Sequence, residues 1–258
     1  MPIPFAWTDI AILALILVLA HSVETYLGFG STIIALSLGI FLFPIETLLP
    51  ALVTIGTLQS LWLIIRWHSH IRWKVILAGI LPMAAIGLAA GILLRDYAAE
   101  TLLITLLGLF IIVTSTLELI ALFRSSAAPR TPLNLWIAAP VIFAGGLFQG
   151  LFASGGPPIV HYAGRAIDDP AQFRSTLSVL WLILNLALLI SMWAGGQAGV
   201  LTLELAALVL PGFIAGVVIG SFIKMKSKTF KAATWAMLLI IGTVLLVRVF
   251  QQINATFL

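Results

Sequence analysis

The chain contains no cysteine. That excludes a disulfide framework, a thiolate nucleophile and any metal site built on sulfur. Charge is scarce as well. Only 9% of the 258 residues are charged, against about 25% in a typical soluble domain. The phosphate-cradling pattern G-x-x-x-x-G-K-[ST] is missing, so no motif for ATP hydrolysis is present. The net charge of +4 is small and spread over several segments, which is not the footprint of a nucleic-acid-binding surface. The opening Met1-Pro-Ile-Pro-Phe-Ala-Trp7 lacks the basic region of a cleaved signal peptide, so the apolar stretch from Thr8 to Tyr26 reads as a first membrane segment.

What the chain has in excess is apolar sequence, at 62% of its residues. A soluble fold of this composition would expose too much apolar surface to stay dispersed. The expected fold is therefore an all-α multi-pass membrane protein, with short loops and no room for an appended soluble domain. Apolar runs fall near 8–27, 31–43, 48–66, 74–94, 99–123, 133–152, 156–167, 173–193, 200–223 and 231–250. Most are close to the roughly 20 residues that cross a bilayer as a helix. Two of them, 31–43 and 156–167, are too short for an ordinary crossing. Each follows a small-residue break: Leu27-Gly-Phe-Gly-Ser-Thr32 in one case, Ala153-Ser-Gly-Gly-Pro-Pro158 in the other. Glycine permits non-helical backbone, and proline suits the first turn of a new helix.

The breaks belong to a repeat. A shift of 126 residues aligns Gly30 with Gly156, Ile33 with Ile159, Pro44 with Pro170, Gln59 with Asn185 and Trp67 with Trp193. A shift of 129 aligns Pro82 with Pro211, Gly87 with Gly216 and Gly91 with Gly220. The chain thus reads as a first transmembrane repeat over 1–124, a polar linker over 125–132 and a second repeat over 133–258. Loop charge orients the repeats. Arg66, Arg72 and Lys74 lie in one loop, and Lys224, Lys226, Lys228 and Lys231 in another, while their repeat equivalents carry no net positive charge. The positive-inside rule places both basic loops and the linker in the cytoplasm. Equivalent loops then lie on opposite sides, so the repeats are inverted and both termini are non-cytoplasmic. That parity requires each short run to be either a short crossing or a re-entrant segment.

Inverted repeats with interrupted helices are an architecture of secondary transporters. Backbone groups freed at a break cannot be satisfied by lipid, so a break lines a polar cavity or packs within protein. The two breaks are expected to meet near the midplane, each presenting the N-terminus of a short helix, which favours an anion. The candidate substrate-binding residues are Gly28, Gly30, Ser31 and Thr32 at the first break and Ser154, Gly155, Gly156 and Pro157 at the second. Gln59 and Asn185, as neutral amide donors, join them. So does Arg165, whose fork suits an oxyanion. Glu24, His21 and His161 are ionisable groups in membrane segments, and they are candidates for binding a coupling proton or sodium ion.

The duplicated glycine-rich segments, Tyr26-Leu-Gly-Phe-Gly-Ser-Thr-Ile and Gly150-Leu-Phe-Ala-Ser-Gly-Gly-Pro-Pro-Ile, each followed by a proline-marked turn, resemble those of the TauE/SafE family. The second is the more specific; the first has Ser31 and Thr32 where further glycine is usual in the family. The resemblance implies a permease of the inner (plasma) membrane that moves sulfite, sulfonates or related anions, with no enzymatic activity and no cofactor. The expected partners are a small anion and the lipid bilayer, with no nucleic acid. A passive anion channel is the alternative, because the same helix ends could line a pore.

Overall fold

The computed structural model describes residues 5–124, 135–223 and 227–257. All regular structure among them is helical. Ten α-helices follow in order: α1 Trp7–Leu27, α2 Ser31–Gly39, α3 Ile45–Trp67, α4 Leu81–Tyr97, α5 Glu100–Phe123, α6 Leu135–Phe152, α7 Gly156–Ala166, α8 Pro170–Ala194, α9 Val200–Phe222 and α10 Ser227–Phe257. A 3-10 turn at His68–His70 and a π-helical turn at Val75–Ile80 lead into α4. Pro82 lies two residues past the π turn; it has no N–H to donate, which is a sufficient cause for a shift in the local bonding pattern. The linker 125–132 lies outside the described residues.

Among the described residues seven helices are long and apolar enough to cross a membrane, and α6 falls just short, with 17 residues in its apolar stretch. Their apolar residues occupy both faces. On α1, Leu13 and Leu17 are buried while Leu15 is 69% exposed. A helix apolar all round belongs in hydrocarbon rather than at a water surface. Trp7, Trp73, Trp136 and Trp193 are exposed near helix ends, as an interfacial aromatic belt requires.

The chain forms two compact units, and each draws on both halves of the sequence. One comprises Met1–Leu93 and Thr131–Ile223; the other comprises Leu94–Arg130 and Lys224–Leu258. In the second unit α5 and α10 pack together through Gly108 and Gly242, where an added Cβ would press on Leu246 and Ile111 respectively.

Close backbone approach organises the first unit. Every fourth residue along one face of α9 is glycine: Gly212, Gly216 and Gly220. A Cβ on any of them would strike α1 main chain, at Ala14, Val18 and Ser22 in turn. Ser22 Oγ adds a 3.0 Å hydrogen bond to the Gly216 carbonyl. The same device recurs between α4 and α6. Gly87 and Gly91 lie on the Phe143 and Leu147 carbonyls, while Gly146 and Gly150 lie on those of Ala84 and Leu88. Small residues at such spacing let transmembrane helices touch backbone to backbone. The third long pairing is α3 with α8.

The short helix α2 has 9 residues, so it rises only about 14 Å at 1.5 Å per residue. It runs back along α1: Gly39 at its end sits against Leu13, well before the α1 terminus. By residue 43 the chain has returned to where α1 began, since the Phe5 and Phe43 rings meet edge to face at 5.4 Å. The first break is therefore the tip of a hairpin and not a kink in one long helix. In the second half α7, of 11 residues, packs likewise against α6.

Candidate functional site

The first break is set by two glycines. Gly28 (φ 86°) ends α1 and Gly30 (φ 108°) precedes α2, both in the left-handed region that favours glycine. Gly28 donates its N–H to the Glu24 carbonyl, closing α1. Its own carbonyl accepts from Trp181 Nε1 of α8 at 3.1 Å. The Arg174 stem packs on its Cα: a Cβ there would lie 3.0 Å from Arg174 Cγ. Beyond the break the Glu24 carboxylate turns to the start of α2. One oxygen accepts from Ser31 N at 3.2 Å and also from the Ser31 hydroxyl.

The second break has the same plan with different residues. Ala153 (φ 51°), not glycine, takes the left-handed position after α6. Its N–H donates to the Gln149 carbonyl at 2.8 Å. The Gln149 side chain then reaches the start of α7, where its Oε1 accepts from Gly155 N at 2.9 Å. Its Nε2 donates to Asn185 Oδ1 of α8 at 2.7 Å. The structure thus matches Gly28 with Ala153 and Glu24 with Gln149, one residue out of step with the sequence shift that pairs Gly30 with Gly156.

The two breaks open into one cavity of about 30 Å³. Since about 10–15 Å³ of such space holds a water molecule, this accommodates a few waters or an ion of a few heavy atoms. The cavity is lined by Glu24, Gly30 and Thr32 from the first break and by Ser154, Gly156 and Pro157 from the second. Gln149, Trp181 and Asn185 form further wall, with Gly56 on α3 opposite. Gly56 has a positional reason to lack a side chain, because its Cβ would lie 3.3 Å from Asn185 Nδ2. Glu24 is the only ionisable residue among those lining the cavity; its other polar groups are hydroxyls, amides and main chain.

Several expected residues stand elsewhere. The Ser31 hydroxyl serves Glu24, and Gly155 serves Gln149 through its N–H. Gln59 is fully buried but does not line the cavity. It bonds His21 Nδ1 through Oε1 and donates from Nε2 to Thr25 Oγ1 at 3.1 Å. His21 itself packs edge to face on Phe213 of α9, centroids 4.9 Å apart. Gln59 and Asn185, equivalent by sequence, therefore have different partners: Gln59 ties α3 to α1, while Asn185 faces the cavity. Arg165 is half-buried and His161 exposed on α7, neither among the lining residues. Sequence reasoning missed Phe29, Ile33, Gly56 and Ala153 of the lining, and also its two polar members Gln149 and Trp181. Each of these two carried a signal, an amide one turn before a break and a tryptophan in mid-helix, far from any interfacial belt.

Apolar spanning helices around a small polar cavity built on two helix breaks define a multi-pass membrane protein of the transporter class. The chain belongs to the TauE/SafE sulfite exporter family, whose model matches residues 13–245. The members of this family are membrane exporters and permeases, not enzymes. The chain is 26% identical over 203 residues to a protein of Cupriavidus necator named "Probable sulfite/organosulfonate exporter TauE", an alignment covering 76% of each chain. No solved structure matches it.

Proposed function

We propose that this protein is a secondary transporter of small sulfur oxyanions, sulfite or sulfonates, working by alternating access about the cavity between the two breaks. The observation that carries the reading is the convergence of two short-helix N-termini, those of α2 and α7, on one small, half-open cavity with both polar and apolar walls. Each helix end contributes roughly half a positive charge, and the Thr32 hydroxyl and the Asn185 amide stand as neutral donors beside the one carboxyl group, Glu24. The cavity is small enough to favour a compact anion over a bulky solute. The name of the Cupriavidus necator relative points to the same substrates. In this reading the two halves are inverted repeats and the protein lies in the inner (plasma) membrane with both termini outside. Energy comes from an ion or substrate gradient.

Uptake of labelled sulfite and methanesulfonate into liposomes carrying the purified protein tests the proposal. Saturable uptake that is accelerated by unlabelled anion on the far side identifies a carrier. Uptake that does not saturate and shows no such counterflow identifies a channel. Absence of any anion flux rejects the reading.

A further inference from the structure

The Glu24 carboxylate occupies the place an incoming anion would take at the first half-site. It lines the cavity, it is buried at 6% exposure, and it caps the N-terminus of α2 through Ser31. Gln149, its counterpart at the second break, does the same for Gly155 with a neutral amide. The cavity is thus asymmetric in charge although symmetric in plan. One helix end is capped by a carboxyl group that can ionise, and the other by an amide that cannot. A second negative charge cannot share so small a space with an ionised carboxylate without strong repulsion, because like charges in a poorly hydrated site interact far more strongly than in water. Protonating Glu24 removes the repulsion and frees the α2 N-terminus for the substrate.

Charges on the surrounding elements do not do this work instead. Neither α2 nor α6 has an ionisable side chain. Glu46 and Arg66 lie only at the two ends of α3, and Glu204 lies near the start of α9, whereas α9 meets the Glu24 turn of α1 near its own end, at Gly220. His21, one turn earlier on α1, is engaged with Gln59. His161, Tyr162 and Arg165 of α7 do not line the cavity, nor does Arg174 of α8, whose stem packs on Gly28.

We infer that Glu24 is the site of a coupling proton: the cavity takes up one proton on Glu24 with each monovalent anion it binds. The inference rests on the anion reading above and adds to it the identity of the coupled ion and the atom that carries it. It also assigns a purpose to the difference between Glu24 and Gln149, namely that one half-site titrates while the other stays fixed.

The test uses the full-length protein in detergent and methanesulfonate, whose charge is constant between about pH 6 and 9, so that any pH dependence belongs to the protein. Calorimetric titration in buffers of different protonation enthalpy counts the protons taken up per anion bound. For the native protein the expected count approaches one above the pH at which Glu24 ionises, and the affinity falls about tenfold per pH unit there. Glu24→Gln copies the amide already used at the second break. It is expected to bind methanesulfonate with no proton uptake and with an affinity that no longer changes with pH. Anion binding to the native protein without proton uptake anywhere in this range overturns the inference while leaving the anion reading intact. So does a Glu24→Gln protein that still takes up a proton, or native binding that depends on sodium and not on pH. Absence of binding to the native protein at every pH removes both. The native measurement decides the matter even if the variant fails to fold.

Discussion

Phe29, in the first break, lies against Gly156, in the second: its ring Cδ2 is 3.3 Å from the point where a Cβ on Gly156 would stand. Two segments 127 positions apart in sequence thus close on each other, with the cavity beside the contact. A leucine at 156 would fill that space. Gly156→Leu is expected to reduce sulfite flux in proteoliposomes to background while the protein still elutes as a single symmetric peak. Retained flux in a folded variant would mean that the breaks serve packing alone.

Asn185 accepts from Gln149 and turns its amide nitrogen toward Gly56 and the cavity. Asn185→Leu leaves Gln149 Nε2 without its Asn185 partner and removes the amide donor to the anion, and a net hydrogen bond to a charged group is worth about 1.5–3 kcal/mol. Anion affinity should fall about 10–100-fold. Asn185→Asp keeps the acceptor but adds negative charge, so it should be the weaker binder at neutral pH and recover as acid protonates the new carboxylate. Affinities of native protein and both variants for methanesulfonate, measured across about pH 5–8, check this. Wild-type affinity of Asn185→Asp at about pH 8 would remove Asn185 from the site.

The left-handed caps differ between the breaks, and that difference is measurable as stability. Ala153 holds a conformation that disfavours a Cβ by about 1–2 kcal/mol, partly offset by the extra unfolded-state freedom of glycine. Ala153→Gly should therefore stabilise by about 0.5–1 kcal/mol. Gly28→Ala should destabilise by about 0.5–1 kcal/mol on the same balance, with crowding against Arg174 Cγ added. Thermal unfolding in detergent, compared with the native protein, gives both signs.

Much of this architecture is legible in the sequence, and the limits are physical. Helix bounds follow because apolar runs end at residues that stop helices: Gly28, Pro44 and the Asp169-Pro170 pair, where Asp169 caps α8 through Gln172 N at 2.7 Å. The two breaks are legible from Gly30 and Pro157. Pairing is not, since α1 is apolar on every face from Ile10 to Ala20 and nothing along that stretch singles out α9 as its neighbour. The link between Glu24 and Gln149 is hidden for a simpler reason. At the shift that aligns Gly30 with Gly156, Glu24 falls opposite Gly150, and only the helix ends reveal the one-residue offset. Whether α2 crosses or re-enters is equally open in sequence; the contacts of Leu13 with Gly39 and Phe5 with Phe43 are what describe the hairpin.

Membrane orientation is a separate prediction, carried by charge. The loop that includes Arg66, Arg72 and Lys74 should lie on the same side as the one that includes Lys228 and Lys231. The absence of native cysteine makes single-cysteine labelling direct. His70→Cys and Lys228→Cys, both at exposed positions, should react with an impermeant maleimide only from the cytoplasmic side. Labelling from opposite sides would overturn the inverted arrangement.

The glycine faces of α9 and α4 have a mechanical consequence. Where Gly212, Gly216 and Gly220 seat α9 on the α1 main chain, and Gly87 and Gly91 seat α4 on α6, the two partners mesh like toothed racks. Sliding by a fraction of a turn would drive a carbonyl into a neighbouring Cα, so neither pair can shear internally. Each hairpin tip is mounted on one member of such a pair, the first on α1 and the second on α6. Under the alternating-access proposal, a stroke that opens the cavity swings each pair as a single lever, carrying its half of the proposed site intact. The long α3–α8 contact, whose one glycine, Gly56, meets the Asn185 side chain and not main chain, is where that proposal puts the fulcrum.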